Sequence, residues 1–423
     1  SVVLNADSNI SNVSQIEIMK GTVDFSKITQ FTGSLKATQI APSNEAAALT
    51  AYDTALPNAS SIVLSAADSA WSLTASTLTT ALSAGVRIAD TDTLTVIGIA
   101  SGAEATASTT YSTSNTGASS VTLLATDGTW SIAKSTLDND IGNNIKYAGA
   151  LTVTGITNGN ETAALTDYTT AKTGATTNTL TASDNAWSVT AANLTTALAA
   201  GVRFAGTLTV TAIANGDETA ALTAFTTAKT GATTNILTAD GAWSVVASAL
   251  KTAIDGGVRL VGTVAVTDIA AGDEAGASTT FSTTNTGATS VTLAAADGTL
   301  SVAASVLATD LSSGIKYLGA LTVTGIASGN ETAALTAFTT TLTGATSVTL
   351  TATDGIWSVA TADLATALTA GVRFAGALTV TGIANGDETA ALTAFTATKT
   401  GATTVTLTLS LIHISEPTRR SAI

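Results

Sequence analysis

The chain has 423 residues and a net charge of −14, with 45% hydrophobic and only 11% charged residues. This composition is too apolar for a disordered acidic chain. It also argues against nucleic-acid binding, which needs clustered Lys and Arg, and no stretch approaches the roughly 18 apolar residues of a membrane span. The chain contains no cysteine, which excludes disulfides, thiolate metal sites and thiol nucleophiles.

Residues 1–35 follow the pattern of the later sequence only loosely and hold the single methionine, Met19. Terminal repeats are usually atypical because they close the end of a stack. We therefore predict that residues 1–35 form a degenerate N-terminal cap, with a linker from a longer chain as the alternative. The chain starts at Ser1 rather than Met, which we expect of a processed product or a fragment.

Residues 36–408 form a tandem repeat. The segment LTVTGITNGNETAALTDYTTAKTGA at 151–175 returns as LTVTAIANGDETAALTAFTTAKTGA at 208–232, a displacement of about 57 residues. A longer period lies on top of this one, because IKYAGALTVTGI at 145–156 returns as IKYLGALTVTGI at 315–326, a displacement of about 170 residues, or three repeats. We attribute the longer period to duplication of a block of three repeats.

Each repeat predicts two strand-plus-helix halves. Residues 207–213 alternate apolar residues with threonines, as a strand does, and Asp217 is placed to cap the helix that follows. The better helix lies in TAANLTTALAAGVRF at 190–204, with Thr190 as its cap and Gly201 in the left-handed position after its end.

The pattern predicts an α/β repeat solenoid with short parallel strands, short helices and two strand-helix coils per 57-residue repeat. Threonine is a poor helix former, so an all-β solenoid is the alternative.

The C-terminal segment breaks the repeat. The match to the preceding repeat holds through Thr408, and the residues at 409–420, LSLIHISEPTRR, closely resemble the translation of a transposon adapter used in sequencing libraries. We predict that residues 409–423 are an adapter-derived artefact and that the native protein is longer. The only histidine, His413, then falls outside the biological sequence.

Acidic residues recur in columns, which raises the question of calcium. The NGDE turns supply neighbouring carboxylates of the hard type that Ca²⁺ prefers. They lack the ligand spacing of an EF-hand, and Asp and Glu also favour helix N-termini for structural reasons, so the structural interpretation is preferred. The calcium candidates are Asp217, Glu218, Asp273, Glu274, Asp387 and Glu388; we expect no other cofactor.

Two further columns are interpreted as structural. Leu300 replaces tryptophan in one repeat, so the tryptophans are expected to fill the core rather than to stack on sugars. The cations follow the glycine that ends the second helix, where they complement the helix C-terminus. The columns comprise Trp71, Trp130, Trp187, Trp243 and Trp357, and Arg87, Arg203, Arg259 and Arg373, with Lys146 and Lys316 at the remaining cationic positions.

The Thr-rich, weakly charged repeats of residues 36–408 resemble the giant strand-rich repeat proteins of bacterial surfaces. The resemblance implies a non-enzymatic extracellular structural protein, such as an adhesin stalk, a surface-layer component or a filament subunit. Its partner would be itself or a host or biofilm surface, with no nucleic acid and no membrane span. The alternatives are a calcium-dependent adhesive module and a polysaccharide-acting enzyme. The last is disfavoured because a glycosidase needs two carboxylates in different environments.

Overall fold

The computed structural model describes residues 8–9, 14–19, 28–53 and 59–410. The chain divides into two compact units. Unit 1 takes in residues 1–210 and 227–234, and unit 2 takes in residues 211–226 and 235–423.

The strands of unit 1 are β1 (Ser8–Asn9), β2 (Gln15–Ile18), β3 (Ile28–Gln30), β4 (Ser34–Ile40), β5 (Ser61–Ala66), β6 (Ala70–Thr74), β7 (Val86–Ile88), β8 (Thr93–Ile99), β9 (Ser120–Ala133), β10 (Ile145–Ile156), β11 (Thr177–Thr190) and β12 (Val202–Ile213), the last of which runs across the unit boundary. The strands of unit 2 are β13 (Thr234–Ala239), which begins at the boundary, β14 (Trp243–Val246), β15 (Val258–Val261), β16 (Thr263–Ile269), β17 (Ser290–Ala303), β18 (Ile315–Ile326), β19 (Ser347–Ala360), β20 (Val372–Ile383) and β21 (Thr404–Leu409).

A single 3₁₀ turn among the described residues, Pro42–Asn44, precedes the helices. They are, in chain order, α1 (Glu45–Asp53), α2 (Ala75–Ser83), α3 (Glu104–Thr110), α4 (Thr113–Thr116), α5 (Lys134–Gly142), α6 (Glu161–Asp167), α7 (Thr170–Thr173), α8 (Ala191–Ala199), α9 (Glu218–Ala224), α10 (Thr227–Thr230), α11 (Ala247–Asp255), α12 (Glu274–Thr280), α13 (Thr283–Thr286), α14 (Ala304–Ser312), α15 (Glu331–Ala337), α16 (Thr340–Thr343), α17 (Thr361–Thr369), α18 (Glu388–Ala394) and α19 (Ala397–Thr400). None of the helices in these ranges combines the length and the hydropathy that crossing a membrane requires.

The strands pair in parallel, as the sequence predicted. In unit 1 the orders are β2–β4–β5–β7 and β6–β8–β9–β10–β11, with β1 beside β3. In unit 2 the order is β14–β16–β17–β18–β19–β20–β21, with β13 beside β15. Strands alternating with short helices make the fold α/β, with the same arrangement recurring along the chain.

The all-β alternative is wrong. The threonines of the longer helices are exposed or half-exposed, and several donate their hydroxyl groups to a backbone carbonyl one turn earlier, as Thr195 does to Ala191. The opposite face of α8 buries Leu194 and Ala197 against the strands. This burial outweighs the weak helix propensity of threonine. The side chain of Thr190 caps α8 and Gly201 follows it at φ +77°, both as predicted.

The two halves of each long strand pair in separate ladders. Residues 145–148 of β10 pair with 121–124 of β9, while residues 150–154 pair with 129–133 of β9. The second half of β10 also pairs with the first half of β11. The pairing of each long strand with its neighbours is therefore offset by half a strand, a feature on which the sequence made no prediction.

The result is a recurring group of four short parallel strands, which we call a four-strand group. In unit 1 one such group contains β6, β8 and the first halves of β9 and β10. In unit 2 an equivalent group contains the second halves of β17 and β18 and the first halves of β19 and β20. Because a long strand belongs to two groups, successive groups within a unit are covalently interlocked.

Both ends of the chain bear on the predicted boundaries. Strand β2, inside the predicted cap of residues 1–35, pairs with β4 as β6 pairs with β8, so this segment contains a repeat-like strand. At the other end, Leu409 closes β21. Residues 411–423, most of the predicted adapter segment, lie outside the described residues.

Candidate functional site

In five repeats a glutamate stabilises the turn before the first helix of the repeat. Glu161, Glu218, Glu274, Glu331 and Glu388 each begin a helix, and Oε2 of each accepts a hydrogen bond from the backbone N–H of the glycine two residues earlier. Glu45 differs, because its Oε2 accepts from the backbone N–H of Ser72. The donor–acceptor distances are 2.6 Å for Gly159–Glu161, 2.7 Å for Gly216–Glu218, 2.8 Å for Gly272–Glu274, 2.7 Å for Gly329–Glu331 and 2.9 Å for Gly386–Glu388. At Glu388 such backbone hydrogen bonds lower the pKa of the carboxyl group.

The aspartates of the calcium candidates behave differently from the prediction. Asp217, Asp273 and Asp387 occupy the N-cap positions of α9, α12 and α18, but none makes a side-chain capping hydrogen bond. The neighbouring glutamate takes over the local role, so the predicted side-chain cap at Asp217 is wrong. Each pair therefore offers one uncommitted carboxylate beside one that is already hydrogen-bonded.

A metal site needs more ligands than these pairs supply. Glu218 and Glu274 are buried against their own turns. Within the described ranges, no three His, Cys, Asp or Glu side chains lie close enough together to hold a metal ion. Backbone carbonyls could add to a Ca²⁺ shell, and calcium binding at these turns stays a prediction.

The second acidic column closes tight turns inside the long strands. Asp127 Oδ1 accepts a hydrogen bond from the backbone N–H of Thr129 at 3.0 Å, and Asp184 does the same for Ala186 at 3.0 Å. These backbone hydrogen bonds are the main cause of the lowered pKa of both carboxyl groups. The side chains thus form Asx-type turns.

The tryptophan column lies in the core. All five indoles are buried. Trp187 meets the ring of Phe204 edge-to-face at a centroid distance of 5.1 Å, and its Nε1–H donates to the carbonyl of Ala205 at 3.2 Å. Trp130, Trp243 and Trp357 make the equivalent hydrogen bond to residues 148, 261 and 375. Buried faces of this kind cannot stack on a sugar from solvent.

Trp71 finds a different partner that sequence reasoning missed. Its Nε1–H donates to Asp92 at 3.0 Å, and the same carboxylate accepts from the backbone N–H of Ala66 at 2.7 Å. Asp92 is fully buried, so these donors offset its desolvation. The spacing of the tryptophans could have indicated this difference. The interval from Trp71 to Trp130 is longer than the repeat period, which indicates an insertion near Asp92.

The arginine column closes the C-termini of the second helices. In Arg203 the Nη1 group donates to the carbonyls of Leu198 at 3.3 Å and Val202 at 2.8 Å. Arg87, Arg259 and Arg373 make the same two hydrogen bonds, one to a carbonyl in the last turn of the preceding helix and one to the first residue of the following strand. The cation thus adds a hydrogen bond to a carbonyl in the last turn of the helix and complements the helix dipole.

Grooves lie between neighbouring helices on the surface of unit 2. The groove between α11 and α12 has a volume of about 570 Å³ and is lined by Lys251, Asp268, Asp273 and Phe281 among small residues. An equivalent groove of about 340 Å³ lies between α14 and α15, with Phe338 in its wall. Their size suits a small ligand, but Lys251 already forms an ion pair with Asp255 at 2.8 Å.

In unit 1 the corresponding spaces are bridged by tyrosines. The hydroxyl of Tyr111, at the end of α3, lies 2.8 Å from Thr79 Oγ1 of α2. Tyr168, at the end of α6, donates to Asp138 of α5, and Lys134 pairs with the same carboxylate at 2.6 Å. At the position that ends the first helix, tyrosine therefore bridges the two helices in these repeats of unit 1, whereas phenylalanine leaves an open groove at Phe281 and Phe338 of unit 2.

The recurring indoles and guanidinium groups described above thus have structural partners in the fold, and so do the glutamates of the five turns, whereas Asp217, Asp273 and Asp387 make no side-chain capping hydrogen bond. The chain matches no protein-family model and has no significant match among curated proteins.

Proposed function

We propose that this protein is a non-enzymatic extracellular structural repeat protein, serving as an adhesin stalk, a surface-layer component or a filament subunit. One observation carries the proposal. At equivalent positions of successive repeats the same residue type has the same structural role. Glutamate stabilises a turn, tryptophan packs in the core and arginine binds a carbonyl at the C-terminus of a helix. A chain built this way repeats an architecture, whereas an enzyme needs one site that differs from the rest.

In this proposal the 57-residue repeats of residues 36–408 stack on one another to form an α/β solenoid. Interlocked four-strand groups support it, since a strand shared between groups transmits tension along the covalent backbone. The partners would be further copies of the chain, joined end to end or laterally, or a host or biofilm surface. Strand edges provide unpaired backbone groups for such association.

Single-molecule force spectroscopy tests the mechanical role. Pulled from its two ends, the chain should unfold in a ladder of similar events. Each should release about 57 residues, or roughly 20 nm of extended chain at about 3.5 Å per residue. A single featureless extension, or one event that releases the whole chain, would contradict the proposal.

The calcium-dependent adhesive module is the second candidate, favoured by the Asp–Glu pairs at the turns. Addition of Ca²⁺ to the metal-free chain should then raise the melting temperature. The variant Asp273→Asn/Glu274→Gln should reduce that rise. The turn at Asn160 and Glu161 is a natural control, because it already carries Asn before Glu. An unchanged melting temperature would remove this candidate.

The polysaccharide-acting enzyme is the third and weakest candidate. It predicts that one carboxylate substitution abolishes an activity while equivalent substitutions elsewhere in the column do not. Reducing-sugar release from a panel of polysaccharides, measured for the wild type and for Glu-to-Gln variants along the column, tests it. Our proposal expects no release by any of these proteins.

A further inference from the structure

A buried polar cluster lies in unit 1 where three elements meet. It consists of Ser108 on α3, Asp140 on α5 and Tyr147 on β10, and each of these residues is at most 2% exposed to solvent. The Tyr147 hydroxyl donates to Asp140 Oδ2. Burial raises the pKa of the Asp140 carboxyl, and hydrogen bonds from Tyr147 and Ser108 lower it. Ser108 also forms a hydrogen bond that lowers the otherwise raised pKa of Tyr147, so the three groups act on one another.

Unit 2 contains the same cluster one three-repeat block later. Ser278 on α12, Asp310 on α14 and Tyr317 on β18 are buried, and the Tyr317 hydroxyl donates to Asp310. Here the hydroxyl of Ser278 is buried with no hydrogen-bond partner. The displacement between the two clusters equals the longer, three-repeat period of the sequence.

The other repeats carry apolar residues at all three positions. Each set is buried at the same junction of first helix, second helix and strand. The apolar sets are Leu49–Ala81–Ile88, Leu165–Ala197–Phe204, Leu222–Ala253–Leu260 and Leu335–Ala367–Phe374. Across six repeats the three positions change together, and no described set mixes the two kinds.

Mixing the sets would be unfavourable for a physical reason. Leucine in place of Ser108 would bring a larger apolar group against Asp140 and Tyr147, overpacking the junction and removing a hydrogen-bond partner. Serine facing Ala197 and Phe204 would leave a hole and an unsatisfied buried hydroxyl. Asp140 and Tyr147 are close in sequence and form their hydrogen bond whichever first helix packs against them. Ser108 is the residue of the cluster that comes from the first helix, so it determines whether the correct first helix is packed there.

We propose that these Ser–Asp–Tyr clusters are register keys. They make a first helix pair with its own second helix rather than with the nearly identical one of another repeat. Internal repeats invite such errors within a chain, and they also invite exchange of repeats between copies. Since the two keys carry the same three residues, exchange between copies is restricted to steps of three repeats. Buried polar groups that specify register at a cost in stability have a parallel in coiled coils.

The first test keeps to one key in the full chain. Ser108→Leu should lower the urea midpoint of unfolding. Adding Asp140→Ala and Tyr147→Phe to the same chain should restore it, because the set then equals Leu165–Ala197–Phe204. A matched control, Leu165→Ser, should lower the midpoint without a key to rescue it. If Ser108→Leu is as stable as the triple variant, the three positions are not coupled and the proposal fails.

The second test removes both keys. The triple substitution is made at each of the two clusters, and the chain is refolded from urea at about 10 μM, a concentration at which misassembly competes with folding. Size-exclusion chromatography with light scattering should show a several-fold larger share of exchanged dimers and higher oligomers than in the wild type. An equal monomer share in the two proteins would show that the clusters do not set the register and would overturn the proposal.

Discussion

A Cβ atom placed on Gly149 would lie 2.2 Å from the carbonyl oxygen of Gly128. Gly149 joins the two halves of β10, and Gly128 lies in the turn between the two halves of β9, so this approach lies where two successive four-strand groups meet. The same approach recurs at Gly206, Gly319 and Gly376. It follows that the half-strand offset requires a glycine at these four junctions, whereas the Cβ position of Gly262, the equivalent residue of another repeat, is open.

We predict that Gly149→Ala lowers the free energy of unfolding by about 2–4 kcal/mol, from the steric clash and from a φ of +106° that disfavours alanine. Urea unfolding followed by circular dichroism measures it.

The matched control is Gly128→Asn. Gly128 has a φ of +70° and open space around its Cβ position, and Asn185 occupies the equivalent turn at φ +58°. This substitution should cost less than about 1 kcal/mol. Equal losses for the two variants would contradict the steric argument.

Substitution of a core tryptophan should be costly but tolerated. Trp187→Leu should lower the free energy of unfolding by about 1–3 kcal/mol, since it removes the edge contact with Phe204 and the hydrogen bond to Ala205. The chain should still fold, because Leu300 is buried at the equivalent position of another repeat. Loss of folding, or no loss of stability, would disagree with the packing role.

The arginine column should tolerate lysine better than alanine. Arg203→Ala removes one hydrogen bond to Leu198 in α8 and one to Val202 at the start of β12, and should cost about 0.5–1.5 kcal/mol. Arg203→Lys should cost less than half of this, since Lys146 and Lys316 occupy the same place in other repeats. Thermal unfolding at low and high salt would show the alanine effect shrinking as salt rises.

Asp140 should give stability a distinctive pH dependence. Below its ordinary pKa of 3.8 the carboxyl is protonated in both the folded and unfolded states. As the pH rises above that value the unfolded chain ionises first, because the folded pKa is raised, and stability falls until the folded pKa is passed. Asp140→Asn should remove this fall, so the wild type should lose stability relative to the variant between about pH 3.8 and the folded pKa. Parallel curves would contradict burial as the cause.

Asp127 should show the opposite sign. Its folded pKa is lowered by the hydrogen bond from Thr129, so its contribution is present above 3.8 and is lost as the pH falls through the folded pKa. Relative to Asp127→Asn, the wild type should therefore lose stability on acidification. Urea midpoints at pH 2.5 and pH 5 would distinguish the two carboxyl groups.

Local signals in the sequence predicted much of the fold. The cap at Thr190 and the left-handed Gly201 lie within one stretch of sequence, and the structure confirms both of them. Parallel pairing also followed from strands alternating with helices. The half-strand offset could not be predicted, because it depends on Gly149 meeting Gly128 across two strands, a contact that periodicity does not encode.

The candidate site divides in the same way. The columns were visible because each is one residue type at one spacing. The sequence predicted that Asp217 stabilises the turn, but Glu218 does so. This could not be foreseen, because it depends on which of the two carboxylates reaches the N–H of Gly216. The Ser108–Asp140–Tyr147 cluster was also missed. It becomes visible only when three columns are compared at once.

Small-angle X-ray scattering of the full chain in dilute solution tests the central proposal of an extended structural repeat most directly. A compact globule of 423 residues would have a radius of gyration of about 22 Å. Our account predicts a folded particle with a radius well above that value and the scattering profile of a rod. A radius close to that of the compact globule would contradict the solenoid and, with it, the proposed role as a stalk or filament subunit.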